Sequence, residues 1–385
     1  MTIAHDVDFA VGIGAVRELL ERNGIEPSEV GQLHRIQSVK VYQQGSKDAD
    51  GNMQAQDLVS VVLSPKFEEG PEWPVIQPGP QYKLPKSKVT KVKANDALKT
   101  CVVLPDMQIG YYFDKNERLV STHDETAIDL SVAMIQDIQP DLIVLVGDNL
   151  DLPEMGKYRL SPAFYRTIQP AIDYTTELMF RLRAAAPEAK CVWLAGNHEE
   201  RLVNYLLDNA SAAFGLRQGA RPESFPVLSV PHLCRLDESG VTYLEGYPAN
   251  DFWINERLRV IHGDRVKSSG STAHVYLNNH KTSVIYGHIH RREYAAKTFV
   301  KWEGARTIMA ATPGCLAKCD GSVPSTKGGL DLHGRPMTVV EDWQQGLAVV
   351  HYEDSGDHRF FYHQVDIQDG VALYNGKLYG TADGS

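Results

Sequence analysis

Five short apolar runs in this chain each end at residues whose side chains can bind metal ions. In chain order, the runs lead into Asp106-Met107-Gln108, Gly147-Asp148-Asn149-Leu150-Asp151, Gly196-Asn197-His198-Glu199, His262-Gly263-Asp264 and Gly287-His288-Ile289-His290. Two divalent cations held close together by such ligands can activate water and hold the attacking and leaving oxygens of a phosphoester. The residue types therefore predict a binuclear metal site.

The segments between these motifs predict an α/β fold. The apolar runs are rich in Val, Ile and Leu, which is typical of buried parallel strands. Helices are predicted after Thr122, over 162–185 and over 199–209, with Thr122 and Glu125 as a capping box for the first. Functional residues of open α/β sheets gather beyond the carboxyl ends of the strands. One rim of the sheet should therefore hold all five motifs.

The order and content of the five motifs resemble the calcineurin-like metallophosphoesterase superfamily. Its pattern is D-x-H, G-D-x-x-D, G-N-H-[DE], a lone His and G-H-x-H, and only Gln108 departs from it. The matched segments span residues 101 to 290. The sequence around these motifs, together with Asp342-Trp343-Gln344-Gln345-Gly346, further resembles bacteriophage-encoded phosphoesterases of the DNA-repair-nuclease-like kind. The resemblance implies a β-sandwich flanked by helices.

The resemblance also implies two sets of metal ligands with one shared carboxylate. Asp148 would bridge two divalent ions. The first ion would be held by Asp106, Asp148 and His290, with Gln108 in the position of the missing His; the second would be held by Asp148, Asn197, His262 and His288.

Three further residues are predicted to act on the phosphate rather than on the metals. By the same resemblance, His198 would stabilise the phosphoryl charge or protonate the leaving oxygen, and Asp151 would orient its ring. Arg201 has two interpretations. It is either a phosphate clamp or a solvated residue on the face of its helix.

Because Gln108 stands where the family has His, three hypotheses describe how the first metal site is completed. The Gln108 carbonyl could bind the metal, His123 from the start of the next helix could replace it, or this metal could bind only with substrate. His123 also fits a helix-terminal residue that touches solvent alone. Neutral oxygen donors favour Mn²⁺ or Mg²⁺ over Zn²⁺. Mn²⁺ is therefore expected, with Mg²⁺, Fe and Zn²⁺ as alternatives.

Composition and length place the chain among ordinary globular proteins. It has 385 residues, of which 43% are hydrophobic and 23% charged, and its formal net charge is −10. The sequence has no apolar run long enough for a membrane span and no secretory signal pattern, and its five Cys form no disulfide framework. We expect a cytoplasmic protein without a membrane partner; the sequence makes no prediction of oligomeric state.

The sequence predicts three regions. Residues 1–64 form a small module of helix-turn-helix plus β-hairpin, 65–96 a Pro/Lys-rich linker, and 97–385 the catalytic domain with a C-terminal β layer. Six lysines lie between positions 83 and 99. These lysines suit either a nucleic-acid path or a soluble linker, and the module suits either nucleic-acid binding or a role in docking or dimerisation.

Three substrate hypotheses remain. Nucleic-acid phosphodiester bonds are slightly favoured by the lysines and the N-terminal module. A nucleotide, cyclic nucleotide or phosphoprotein suits the acidic net charge better, although Leu152 stands where similar Ser/Thr phosphatases have Arg. A scaffold without catalysis is supported only by Gln108.

Overall fold

The computed structural model describes residues 9–26, 34–47, 53–65, 98–157, 160–221, 223–267, 270–302, 304–324, 331 and 342–380. The chain divides into two compact units, Met1–Gln81 and Tyr82–Ser385. Within the described ranges, no helix is long and apolar enough to cross a membrane.

In its described residues, the first unit contains one helix and a long hairpin. Helix α1 spans Phe9–Arg22, and strands β1 (His34–Lys47) and β2 (Met53–Pro65) pair antiparallel, as the sequence predicts. The predicted second helix of the module lies mostly outside the described residues. So do the predicted 65–96 linker beyond Pro65 and every lysine of the 83–99 group except Lys99. The predicted division into 1–64, 65–96 and 97–385 therefore stays a prediction.

The second unit carries the remaining described elements. Its strands are β3 (Lys99–Leu104), β4 (Tyr111–Phe113), β5 (Leu119–Ser121), β6 (Leu142–Leu145), β7 (Lys190–Leu194), β8 (Val241–Leu244), β9 (Phe252–Asn255), β10 (Leu258–Ile261), β11 (Ser283–Tyr286), β12 (Arg292–Lys301), β13 (Gly304–Pro313), β14 (Gly346–Tyr352), β15 (Phe360–Gln368), β16 (Val371–Tyr374) and β17 (Lys377–Tyr379). Its helices are α2 (Glu125–Ile138), α3 (Ile168–Ala185), α4 (Glu200–Asn209), α5 (Val230–Leu233), α6 (Leu236–Ser239) and α7 (Thr272–Asn279).

Two mixed sheets form the body of this unit. The larger has the spatial order β17-β16-β15-β14-β3-β6-β7-β8, and the smaller has the order β12-β13-β11-β10-β9. Strands β3, β6, β7 and β8 are mutually parallel, as are β10, β11 and β13. Strand β14 pairs antiparallel with β3 and extends the larger sheet with C-terminal strands. The predicted C-terminal β layer is thus part of the main sheet.

The strands bury both faces, which explains their continuous apolar sequence. In β3, Cys101 and Val103 face a core between the two sheets, where they meet residues of the smaller sheet such as Val260 and Ile285. Val102 and Leu104 face the opposite way, against a core shared with α2 and α3. A third core lies between the smaller sheet and α7. The result is a sandwich of two sheets covered by helices, the predicted fold class.

The first helix after β3 starts later than its sequence suggests. The predicted capping box at Thr122 is wrong, because Asp124 is the N-cap and its carboxylate accepts the Ala127 N–H at 3.0 Å. Thr122 is instead buried, with its hydroxyl 3.5 Å from the Gln108 carbonyl oxygen. His123 consequently lies before the helix rather than on its first turn.

Candidate metal centre

All five predicted motifs lie where a strand ends. Asp106 follows β3, Asp148 follows β6, Asn197 follows β7, His262 follows β10, and the His288-x-His290 motif follows β11. Because these strands are parallel within each sheet, their carboxyl ends bring the loops together. The structure confirms that the five motifs lie together on one rim.

The carboxylates and imidazoles form two groups that share Asp148. One group consists of Asp148, His262 and His288, and the other of Asp106, Asp148 and His290. Within each group the candidate ligand atoms lie within 4.8 Å of one another. The shared carboxylate has the position expected of a bridging ligand.

The two oxygens of Asp148 have separate surroundings. Oδ1 accepts the backbone N–H of His198 at 2.8 Å. Oδ2 lies 3.3 Å from His262 Nε2 and 3.4 Å from Gln108 Nε2. Because Oδ1 is engaged by the backbone, Oδ2 is the atom that faces both groups.

His262 is oriented by a contact on the far side of its ring. Its Nδ1 lies 3.1 Å from the Val146 carbonyl oxygen, which can only accept, so Nδ1 carries the hydrogen. Nε2, the nitrogen left for a metal once its proton is displaced, faces Asp148 and lies 3.2 Å from Asn197 Oδ1. A backbone carbonyl behind a ligand imidazole is a usual way to fix a metal-binding tautomer.

The group of Asp106, Asp148 and His290, together with Gln108, contains buried oxygens that lack a hydrogen-bond partner among the described residues. Asp106 accepts the His288 N–H with Oδ1 at 2.8 Å, but its Oδ2 has no partner. Gln108 places Nε2 3.4 Å from His290 Nε2, and its Oε1 is also unpartnered. Rotating the amide exchanges the positions of these two Gln108 atoms. Buried acceptors without donors are costly unless a cation satisfies them, so the residues present fit a divalent ion.

His123, the alternative ligand for this position, belongs to neither group. It is buried between Tyr111 and Tyr174, with ring centroids 5.2 and 4.4 Å away, and its Nδ1 lies 3.1 Å from the Gly110 carbonyl oxygen. Burial foremost lowers the pKa of His123 to about 4, so the ring is neutral at physiological pH. The structure places Gln108, not His123, beside Asp148 and His290.

Glycines permit the close approach of the loops. A Cβ on Gly196 would lie 2.3 Å from Asp148 Oδ1 and 2.5 Å from the Asp148 nitrogen. A Cβ on Gly287 would lie 2.4 Å from Asp106 Oδ2. These two glycines are therefore required by space next to the ligands, whatever their backbone conformation.

Several of the candidate ligands have left-handed backbone conformations. Gln108, Asp148, His288 and His290 have φ between 50° and 71°. Such conformations cost on the order of 1 kcal/mol each in non-glycine residues and persist where surrounding structure imposes them. They turn the side chains out of the strand direction and towards the shared site.

Glu199 organises the loops, a role that sequence reasoning missed. Its buried carboxylate accepts four backbone N–H groups: those of Asp148 and Gly196 on Oε2, at 2.9 and 2.8 Å, and those of Asn149 and Leu150 on Oε1, at 2.8 and 3.1 Å. Burial and the Asp148 charge raise the pKa of Glu199, and the backbone donors oppose that rise. A protonated carboxyl would have to direct its hydrogen against one of these donors, so the arrangement requires the ionised form.

His198, Asp151 and Arg201 form a hydrogen-bonded cluster beside the two groups. His198 Nδ1 donates to Asp151 Oδ1 at 2.8 Å, and Arg201 Nη1 donates to the same oxygen at 2.7 Å. Arg201 Nη2 lies 3.0 Å from His198 Nε2. The solvated-face interpretation of Arg201 therefore does not describe its position, because its side chain is 20% exposed.

The electrostatics of the site favour added positive charge. Burial would raise the pKa of Asp148, but the neighbouring His198, His262 and His288 outweigh it and lower that pKa well below its usual value. Burial would lower the pKa of His262, yet Asp148 and Asp106 raise it to about 9. His288 has its pKa lowered to about 4, by burial and then by His262. The buried carboxylates thus attract a proton to His262, as they would attract a cation.

The two groups open into a pocket of about 440 Å³. Its walls include His198 and Arg201 on one side and Val323, Pro324 and Trp343 on another. The Trp343 ring lies edge-on to His290, with centroids 4.2 Å apart. Trp343 therefore borders the candidate substrate pocket.

Comparisons with known proteins give one family and two phage relatives. A model described as calcineurin-like phosphoesterase matches residues 102–292. The Gene 54 protein of Mycobacterium phage D29 is 30% identical over 203 residues, covering 50% of this chain and 70% of the relative. The Gene 54 protein of Mycobacterium phage L5 is 27% identical over 260 residues, covering 66% and 88%.

A solved structure was also matched. The E. coli phosphoesterase Yfce has 11% identity and a TM-score of 0.25, and the match covers 69% of this chain and 98% of that one. A TM-score this low does not establish a shared fold.

Proposed function

The chain belongs to the calcineurin-like phosphoesterase family and is a metal-dependent phosphoester hydrolase, and we propose that it cleaves phosphodiester bonds of nucleic acid. The observation that carries the metal-dependent chemistry is the pair of ligand groups that share Asp148. The observation that carries the diester preference is a second pocket along α4 that adjoins the metal pocket and shares three wall residues with it.

The proposed ligands are the ones that the sequence predicts. Asp106, Gln108, Asp148 and His290 would hold one divalent ion, and Asp148, Asn197, His262 and His288 the other. Two divalent ions bound there would supply a water activated at neutral pH and charge neutralisation for the phosphoryl oxygens. The oxygen-rich first set favours Mn²⁺ as the native metal, ahead of Zn²⁺.

The residues beside the metal groups would act on the substrate itself. Asp151 fixes the His198 ring through Nδ1, so Nε2 is the atom available to donate to the leaving oxygen. Arg201 contacts Asp151 through Nη1 and His198 through Nη2, and its remaining N–H groups would bind a phosphate oxygen. Arg201 would thus stabilise the charge on the phosphate, and His198 would protonate the leaving oxygen.

A diester differs from a monoester because its phosphorus carries two organic substituents. A site for a diester needs space on both sides of the phosphate. The metal pocket shares Gly156, Asn197 and Arg201 with a second pocket of about 390 Å³, which provides that space. This connection supports the diester hypothesis over a phosphatase that encloses a terminal phosphate.

A small-molecule phosphodiesterase or nucleotidase is the second candidate. The net charge of −10 favours it, because an acidic protein gains no broad attraction to nucleic acid. A phosphoprotein phosphatase is less supported, since Leu152 is buried in the core instead of presenting a cation to the pocket.

The test compares four substrates with the Mn²⁺-loaded full-length protein: p-nitrophenyl phosphate, bis-p-nitrophenyl phosphate, single-stranded DNA and duplex DNA. We expect the diester to be cleaved faster than the monoester, and at least one DNA to be cleaved. Exclusive hydrolysis of the monoester would reject the phosphodiesterase proposal. Cleavage of the chromogenic diester with both DNAs intact would favour the small-molecule candidate.

A further inference from the structure

We infer that the pocket along α4 is a subsite for a nucleoside joined to the phosphate that the metal centre holds. The inference rests on the proposed phosphodiesterase function and specifies where the second substituent of the diester binds. Tyr205 and Asn204 are the residues assigned to recognise it.

The pocket along α4 adjoins the pocket over the metal groups. Its wall contains Lys157, Asn204, Tyr205 and Asp208, and it shares Gly156, Asn197 and Arg201 with the pocket over the metals. Its volume of about 390 Å³ is within the usual range of small-molecule sites, about 300–1,000 Å³. A group bound there would be adjacent to a phosphate contacted by Arg201.

Gly156 lies on the wall of both pockets. Its φ of −78° and ψ of 167° are accessible to any residue, so the backbone does not require glycine there. A Cβ at this position would lie 3.1 Å from the Pro153 carbonyl oxygen and 3.8 Å from Arg201 Nε. Because glycine has no side chain, the space beside Arg201 stays free on the wall that the two pockets share.

The chemistry of the wall suits a nucleoside better than an apolar group. Tyr205 is 43% exposed, so its ring can stack against a base. Asn204 offers an amide donor and acceptor for a base edge, and Asp208 can accept from a sugar hydroxyl. Lys157 at the other side can contact a following phosphate. A lipid or alkyl substituent would leave these polar groups without partners.

The test uses two chromogenic diesters that differ only in the second substituent. Thymidine 5′-(p-nitrophenyl phosphate) carries a nucleoside, and methyl p-nitrophenyl phosphate carries a group too small to enter the α4 pocket. With Mn²⁺-loaded full-length protein, we expect kcat/KM to favour the thymidine ester by about tenfold, in the range of one base–aromatic stack. Tyr205→Ala should remove most of that preference, and Tyr205→Phe should keep it.

Leu207→Ala is the matched control. Leu207 lies on the same helix, is exposed, and is not part of either pocket wall. This variant should keep the preference for the thymidine ester.

The outcomes separate the two proposals. Equal kcat/KM for both esters in the wild type, or a preference that survives Tyr205→Ala, would overturn the subsite and leave the phosphodiesterase intact. If neither diester is hydrolysed while p-nitrophenyl phosphate is, the phosphodiesterase proposal fails and the subsite fails with it.

Discussion

Replacing Glu199 with Gln should destabilise the metal centre although Glu199 touches neither metal nor substrate. The carboxylate accepts backbone N–H groups from two loops, those that carry Asp148 and Asn197. Gln keeps the size of the side chain but has one acceptor oxygen. Its NH₂ group would face two of the four N–H donors, whichever way the amide is turned.

The magnitude follows from the two lost bonds. A hydrogen bond to a charged acceptor contributes about 1.5–3 kcal/mol, and a buried donor left without a partner costs a similar amount. Two such losses give about 3–6 kcal/mol, and removing a buried charge offsets part of this. We therefore expect Glu199→Gln to lower the free energy of unfolding by about 2–5 kcal/mol.

Urea denaturation and elemental analysis measure the two effects separately. The control is Glu200→Gln, the same substitution at the next residue, where the side chain is partly exposed. We expect Glu200→Gln to change the unfolding free energy by less than about 0.5 kcal/mol and to keep its metal. Glu199→Gln should bind less than the wild-type amount of Mn²⁺ at equal free metal. Wild-type stability and metal content in Glu199→Gln would refute the argument that this carboxylate holds the loops.

Four further predictions follow from the site. Chelator should abolish turnover and Mn²⁺ restore it, and Asp148→Asn should be the most damaging ligand change because both metal groups share that carboxylate; full activity of metal-stripped protein would contradict this. His198→Ala should lower kcat by roughly 10² to 10⁴ fold while metal content stays near wild type, and loss of a metal would instead make His198 a ligand. Gln108→His should tighten the first metal, most for Zn²⁺ and least for Mg²⁺, as measured by metal titration; unchanged affinity would mean that Gln108 is not a ligand. The pKa of His123 is lowered from 6.5 to about 4, so the stability that the neutral ring contributes is complete above pH 6.5 and is lost as the pH falls from 6.5 to 4, by up to about 1.4 kcal/mol per pH unit. The unfolding free energy of His123→Phe should therefore depend less on pH in this range. Identical slopes for variant and wild type would contradict the lowered pKa of His123.

The strand ends could be predicted from the sequence because burial on both faces leaves a strong pattern. A run such as Val102–Leu104 is apolar at every position, and the structure places alternate residues in two different cores. The polar residue that ends each run then lies at the sheet rim by necessity. The order of the motifs, compared with the family pattern, then indicated which of these polar residues are metal ligands. For this reason the two ligand groups contain predicted residues only.

His123 shows what the local pattern could not supply. The sequence places it on the first turn of a helix, and an Asp124 cap moves the helix start beyond it. His123 then pairs as an isolated bridge with Ala317 and packs against Tyr174. Both partners are far away in sequence, so no spacing rule could have found them. Glu199 was missed for a related reason, since its four donors belong to backbone whose direction depends on tertiary structure.

Gln108, the one departure from the family pattern, also bears on whether the chain is an inactive scaffold. Its backbone N–H bonds to the Asp148 carbonyl oxygen at 2.9 Å, and its φ of 51° directs the side chain towards Asp148 and His290. The family has a His at this position, and Gln108 places an amide group there instead of an imidazole nitrogen. The amide does not block the first metal site, and its oxygen can still act as a ligand. A scaffold under no demand for metal would have no need to keep Asp106 Oδ2 and Gln108 Oε1 buried without partners. The unpartnered oxygens are expensive in a metal-free protein and favourable in a metal-loaded one, which argues that Gln108 tunes the first metal instead of abolishing it.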